Sequence, residues 1–311
     1  MRWAPPMYRT IYVPVDNSDY SNAAIDLALS FGKVFRSSLV GSHVYAAKLH
    51  DVRFKQMEFT LPDEYKEETE LEKQRKIHDA LIARGLHLIS DSYLDQMDAR
   101  AKEADLCFER KHFDGKNFEA IVRDVNESGY DLVILGALGQ GAVKDSLVGS
   151  VVERLLRRTE VDTLVVRAIS PEARALDRIV VCLDGSAHSW SALVTACRLA
   201  ARFEKVVQLA VALDGTEDAA LLRAHLEAAE RYAAAQGVDA SSHVLVAGEG
   251  AGRAAIARWI GDAPPWLLAV GRCGSDANGT APIGSTTEHL LRHAPCNLLV
   301  SGRASLEGAS Q

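Results

Sequence analysis

Several features that would assign a chain to a class at once are missing here. No CxxC pair occurs among the five cysteines, Cys107, Cys182, Cys197, Cys273 and Cys296, which argues against zinc-ribbon and thioredoxin-type chemistry. They stand mostly in or beside apolar, strand-like runs, where a reduced thiol acts as a small hydrophobe, and are read as buried. The longest apolar runs, such as LVILGAL and VVQLAVAL, are far short of the roughly 18 residues a membrane span needs. The opening MRWAPPMYRT also lacks the apolar centre of a signal peptide. A cytoplasmic protein without membrane contact is expected.

Charge is equally uninformative. A net charge of −7 with 25% charged residues leaves neither a basic face for nucleic acid nor an acidic tail. Trp190, Trp259 and Trp266 have no basic strip between them and read as core rather than as a base-stacking platform. HExxH and GxSxG are absent, and the ten histidines show no recurring metal spacing. His43 and His50, flanking the end of one strand-like run, read as packed or solvated residues. No catalytic residue and no metal site are expected.

What the chain does contain is a repeat. RTIYVPVDNSDYSNAAIDLAL, residues 9–29, matches DRIVVCLDGSAHSWSALVTAC, residues 177–197; each is a β-rich run ending in Asp, followed by a Ser able to start a helix. SSLVGSHVY pairs with KVVQLAVAL, FEAIVRDVNESGYDLVILGA with RAAIARWIGDAPPWLLAVGR, and VVERLLRRTEVDTLVVR with TTEHLLRHAPCNLLVS. Each half therefore reads β-α-β-α-β-α-β-α-β. Strands apolar throughout and alternating with helices predict an α/β fold of two tandem, doubly wound, five-stranded parallel sheets.

The expected domains are 1–170 and 175–304, joined near AISPEARALD at 168–177, with a tail at 305–311. Between its second and third strands the first half carries about 60 residues, 46–105, where the second has about 27. The surplus is charged and helix-forming, with Leu71, Ile77, Leu81 and Ile82 available for a core-facing stripe. It predicts an added helix or helical pair on the outside, as a brace, a cover for a site or a partner-binding element.

A glycine loop also recurs. Gly136, Gly139, Gly149 and Ser150 form G-x2-G-x9-G-S, and Gly271, Gly274, Gly284 and Ser285 repeat it at identical spacing although the nine-residue contents, QGAVKDSLV and SDANGTAPI, differ widely. Such a loop suits an anion. Glycines admit positive φ and close backbone approach, and free N–H groups at a helix N-terminus attract negative charge. Each loop ends in S-x-x-E, Ser150 with Glu153 and Ser285 with Glu288, so a capping box is the competing structural reading. Gly136 to Gly141 has P-loop glycine spacing, but Ala142 and Val143 stand where Lys and Ser/Thr are required. A dinucleotide fold would place its glycines after the first strand, where this chain reads VDNSD and LDGSA. Asp16 and Asp184 end those strands, placed either to accept from the amino group of a base or to cap the following turn.

These residues together resemble the universal stress protein family in its tandem, two-domain form. The resemblance rests on VPVDNS and VCLDGS, on both glycine loops and on RHAPCNLLV, and spans nearly the whole chain outside 46–105. It implies an adenine-nucleotide-hydrolase-like fold and ATP binding, with ADP or AMP as alternatives and Mg²⁺ accompanying the nucleotide. Carried over, the sites are Asp16, Gly136, Gly139, Gly149 and Ser150 in one half, and Asp184, Gly271, Gly274, Gly284 and Ser285 in the other. It also implies an internal pseudo-dimer through the last strands, 162–167 and 297–301, with a homodimer as a further possibility. The second loop departs from the pattern in Arg272, Cys273, Asp276 and Pro282, which weakens that site; the 46–105 segment could obstruct the first. The expected function is ATP-dependent conformation or partner binding in stress response or signalling. The alternatives are a scaffold that binds a partner protein through 46–105, and a slow ATPase.

Overall fold

The computed structural model describes residues 7–45, 55–142, 146–170, 176–215, 218–274 and 282–302. Five strands come from each half: β1 (Thr10–Pro14), β2 (Ser38–Tyr45), β3 (Phe108–Asp114), β4 (Leu132–Gly136) and β5 (Asp162–Val166), then β6 (Arg178–Cys182), β7 (Val206–Leu213), β8 (Ala240–Val246), β9 (Leu267–Gly271) and β10 (Asn297–Ser301). Helices α1 (Asp19–Phe35), α2 (Glu68–Glu103), α3 (Asn117–Ser128) and α4 (Ser150–Arg158) belong to the first half. Their counterparts are α5 (Ala187–Phe203), α6 (Ala219–Ala235), α7 (Gly252–Asp262) and α8 (Ser285–His293).

All ten strands form one sheet in the order β3-β2-β1-β4-β5-β10-β9-β6-β7-β8. Within each half the pairing is parallel. Side chains alternate faces along a strand, and both faces are covered. Ile11 and Val13 pack with α1 residues Ala24, Ala28 and Phe31, while Tyr12 between them packs with Ile121 and Val125 of α3 and Leu155 of α4. With neither face left to water, the strands carry continuous apolar sequence.

The halves join at β5 and β10, which pair antiparallel with Leu299 opposite Leu164. Around this seam the contacts are reciprocal, as in a two-fold interface. Asn297 Oδ1 accepts from Arg167 N at 3.0 Å, and Asp162 Oδ1 accepts from Gly302 N at 2.7 Å. Arg157 pairs with Glu288 and Arg292 with Glu153, each at 2.6 Å. Phe31 of α1 meets Phe203 of α5 with ring centroids 5.0 Å apart, so one core layer is continuous across both halves. The expected boundary at 168–177 lies between β5 and β6, with 171–175 outside the described residues.

The surplus in the first half differs from the expected added element. It is the crossover helix itself, lengthened: α2 has 36 residues and α6 has 17, preceded by two short 3₁₀ turns, Glu58–Thr60 and Asp63–Tyr65. The expected stripe is also displaced. Leu71 is buried, but Ile77 and Leu81 are 46% and 65% exposed and Ile82 is half-buried. The buried stripe is Ser90, Leu94, Met97 and Ala101 at i, i+4, i+7 and i+11. Arg100 pairs with Asp26 of α1, and Arg110 of β3 with Asp98, so charge and apolar contact both hold the C-terminal part of α2 against the sheet.

Candidate functional site

A parallel sheet exposes its strand carboxyl ends on one edge, beside the N-termini of the helices that follow. In the first half these features surround a cleft of about 310 Å³. Its walls come from Pro14 to Asp16 at the end of β1, Ser18 and Ser21 at the start of α1, Ser42 to Val44 at the end of β2, Asn117 at the start of α3, Leu138, Gly139, Gly141 and Ala142 of the glycine loop, and Gly149 to Val152 at the start of α4. Three helix N-termini thus border one space. Their first-turn N–H groups have no intrahelical acceptor and carry the positive end of the helix dipole.

Asp16, Gly136, Gly139, Gly149 and Ser150, all expected from the sequence, meet here. The glycines do so for reasons other than the expected one, because none of the six loop glycines has a positive φ. A Cβ on Gly136 would stand 2.8 Å from the Tyr20 backbone, one on Gly139 would stand 2.3 Å from Asp16 Oδ2, and one on Gly149 would stand 3.1 Å from the Ala137 carbonyl. Packing against backbone therefore demands glycine at Gly136, the Asp16 carboxylate crowds Gly139, and Gly149 is tight. Gly141, whose Cβ would meet nothing within 4 Å, is under no such constraint.

Asp16 ties the site together. Its Oδ1 accepts from Ser18 N at 3.1 Å and its Oδ2 from Gln140 N at 2.9 Å, which pins the glycine loop to the turn after β1. Ser18 caps α1 by accepting from Ser21 N, and its hydroxyl donates to Leu138 O at 3.3 Å. Ser42 is buried against the Tyr12 hydroxyl at 2.6 Å. His43, also on the wall, contacts Ser90 of α2 through Nδ1 at 2.7 Å. Burial holds its imidazole below the usual value against the opposing pull of Asp16. No residue of α2 itself lines the cleft, so among the described residues the long helix reaches the site only through His43.

The capping box, the competing reading of S-x-x-E, is not formed. The N-cap of α4 is Gly149 and that of α8 is Gly284, neither with a side-chain cap bond, so Ser150 and Ser285 are first helical residues. Ser150 is exposed on the cleft wall. Glu153 and Glu288, the other ends of the two motifs, instead form the ion pairs across the seam.

The second half repeats the frame. Asp184 Oδ1 accepts from Ser186 N at 2.9 Å, and Ser186 Oγ donates to Cys273 O at 3.3 Å. A Cβ on Gly274 would stand 2.7 Å from Asp184 Oδ2, and one on Gly271 would stand 2.6 Å from the His188 backbone. Of the departures noted in the sequence, Arg272 is buried and donates to Leu156 O near the end of α4, away from any phosphate role. Pro282 is exposed, and Asp276 lies outside the described residues, as does His50. A difference the sequence did not reveal lies at α7, where Asp214, just after β7, accepts from Gly252 N at 3.0 Å. The matching helix α3 has Lys116 at its N-cap and no side-chain cap. The cysteines are also less uniform than expected: Cys197 and Cys296 are buried, Cys182 and Cys273 half-buried and Cys107 exposed.

Sequence reasoning missed Ser42 and Asn117 as wall residues, while His43, read as a packed or solvated residue near the end of the second strand, is a third. The signal was available, since β2 and the turn before α3 open on the same sheet edge as β1 and β4.

The model of the universal stress protein family matches residues 7–167 and 175–301. No curated protein matches the chain. Among solved structures it is similar to a universal stress protein of Archaeoglobus fulgidus DSM 4304, 18% identical over 94% of this chain and 98% of that one, with a TM-score of 0.66. It is also similar to a functionally unknown protein of Pseudomonas aeruginosa PAO1, 15% identical over 98% of each chain, with a TM-score of 0.63. At such identities the likeness carries the fold. No described helix is long and apolar enough to cross a membrane.

Proposed function

The chain belongs to the universal stress protein family, and from that premise we propose that the first-half cleft binds an adenine nucleotide, ATP with its Mg²⁺ or a smaller relative. The phosphates lie against the glycine loop and the first turn of α4, and the base lies toward Asp16. The adenine assignment comes from the family resemblance; the anion assignment comes from the geometry. Occupancy would act by changing conformation or partner affinity in a stress or signalling role.

One observation carries the reading. Ser150 stands uncapped and exposed at the first position of a helix that opens on the cleft. A serine kept for capping would be the N-cap and would bond to the backbone two or three residues on. Here the hydroxyl and the first-turn N–H groups all remain for an anion. The volume of about 310 Å³ is at the lower end of the usual range for small-ligand sites. Cradling of this kind positions phosphates without activating water, so any hydrolysis would be slow.

The direct test is to denature freshly purified protein, chromatograph the released nucleotide, and then titrate the emptied protein with ATP. About one nucleotide per chain, released or rebound, is expected for a single working cleft. No release together with no binding of added ATP would overturn the reading.

A second reading, binding of a partner protein through 46–105, is favoured by apolar side chains in the described part of that segment. Phe59, in the 3₁₀ turn before α2, and Leu81 and Leu88 on α2 are 77%, 65% and 63% exposed, the kind of side chain a partner would cover if they meet in one patch. Replacing all three by Gln would abolish such an interaction and leave ATP binding unchanged; retained pull-down of the partner by this variant would exclude that surface.

A further inference from the structure

The lengthened helix brings one more group of residues together. His87 and Asp91 lie one turn apart on α2, and His112 lies on β3, the edge strand of the sheet. Asp91 stands between the two imidazoles, with Oδ2 3.0 Å from His87 Nδ1 and Oδ1 3.0 Å from His112 Nε2. The rings stack, with centroids 4.5 Å apart. One ligand atom from each residue can be chosen so that all three lie within 4.8 Å of one another.

We propose that His87, Asp91 and His112 bind a divalent transition-metal ion, zinc being the natural candidate, and that the ion clamps α2 to β3. The donor set supports this assignment. Two imidazoles and a carboxylate suit zinc and its neighbours, whereas calcium and magnesium prefer oxygen ligands throughout. Zinc–ligand bonds of about 2.0–2.2 Å place tetrahedral ligand atoms roughly 3.3–3.6 Å apart, so small side-chain shifts would admit the ion. His112 Nε2 is buried with Asp91 Oδ1 as its polar neighbour at 3.0 Å, so the nitrogen and the carboxylate already face one another across the place the ion would take.

The second half provides an internal comparison. In the first, His43 of β2 pairs in register with His112, and in the second, the matching Val211 of β7 pairs with Val244. The same crossover therefore forms with an apolar residue at the position of His112, so the fold alone does not demand imidazole there. What distinguishes the first half is a helix about twice as long, whose turns between Leu71 and Ser90 bury no residue. A clamp at His87 and Asp91 would hold it just beyond the last well-packed turns, Ser90 to Ala101. This inference does not depend on the nucleotide reading.

The test uses the full chain, stripped with EDTA and titrated calorimetrically with zinc chloride alone at pH 7.5, beside His87→Ala and His112→Gln. His87 is exposed, so its replacement leaves the core intact, which circular dichroism would check. The expected result is one zinc per chain with Kd below about 10 μM, weakened at least about tenfold in each variant. Cobalt substitution should give visible bands of nitrogen and oxygen coordination without a thiolate charge-transfer band, excluding the cysteines as ligands. Weaker zinc binding in the wild type, unchanged affinity in His87→Ala, or a thiolate band would overturn the proposal.

Discussion

The two halves of this chain share a frame and differ in charge and cover. In both, an Asp after the first strand holds the glycine loop close to the first-strand turn, and a Ser opens the following helix. In the first half the neighbouring helix N-terminus, that of α3, is left without a side-chain cap and lines the cleft. In the second, the carboxylate of Asp214 already occupies the N-terminus of α7, and His225 of α6 packs so near the turn after β6 that a Cβ on Gly185 would stand 2.6 Å from it. A negative charge at a helix N-terminus does for the protein what a phosphate would do. The comparison teaches that duplication preserved the loop's geometry in both halves while a carboxylate came to stand at the N-terminus of α7 and no side chain caps that of α3.

The largest effects should test the shared frame. Gly136→Val and Gly271→Val each drive side-chain atoms into the backbone of the first helix of the same half, at Tyr20 and His188 respectively, at a cost of about 3 kcal/mol. Equal losses in chemical denaturation would show equivalent loops, whereas a loss in only one half would break the equivalence. Next comes the charge difference. Asp214→Asn keeps an acceptor for Gly252 N and removes the charge, and should raise anion affinity in the second half by about 1 kcal/mol, roughly fivefold. Calorimetric stoichiometry moving above that of the wild type would establish it; an unchanged titration would remove Asp214 from the account.

Smaller effects test the seam. Glu153→Gln breaks one partly exposed ion pair across the seam, and Glu288→Gln breaks one across it and a second, longer one to Arg292 in its own helix; the first should cost about 0.5 kcal/mol in thermal denaturation and the second slightly more. The least energetic contrast is chemical. Burial pushes the Cys197 and Cys296 thiols of the second half up to about 12, and Cys107 of the first half is exposed. At pH 8 a thiol reagent should modify Cys107 first and leave Cys197 and Cys296 unreacted until the protein unfolds, as peptide mapping would read.

Much of this was legible in the sequence, for physical reasons. Strands buried on both faces must be apolar at every position, so β4 and β9 announced themselves, and repetition gave their order. The loop positions were legible too, but their cause was not. Gly139 faces Asp16 across 123 positions of chain, and no local pattern reveals that contact. The S-x-x-E motifs misled because capping is local and the use made of Glu153 and Glu288 is across the seam. The stripe of α2 was misplaced because the apolar residues near Ile77 and Leu81 are exposed, while the true contact includes Ser90 and Ala101. The His87, Asp91 and His112 group joins a helix turn to a strand and has no spacing that a sequence scan would recognise.

The central claim, that the first-half cleft holds the phosphates, is tested most directly by titrating ATP into the emptied wild type, Ser150→Asp and Ser285→Asp. An acid at the first helical position suits the helix dipole, so both variants should fold, but it repels a phosphate at the same place. The account predicts that Ser150→Asp weakens ATP binding by at least about thirtyfold and that Ser285→Asp changes the dominant affinity by less than about twofold. Wild-type affinity in Ser150→Asp, or a loss that follows Ser285→Asp instead, would contradict it.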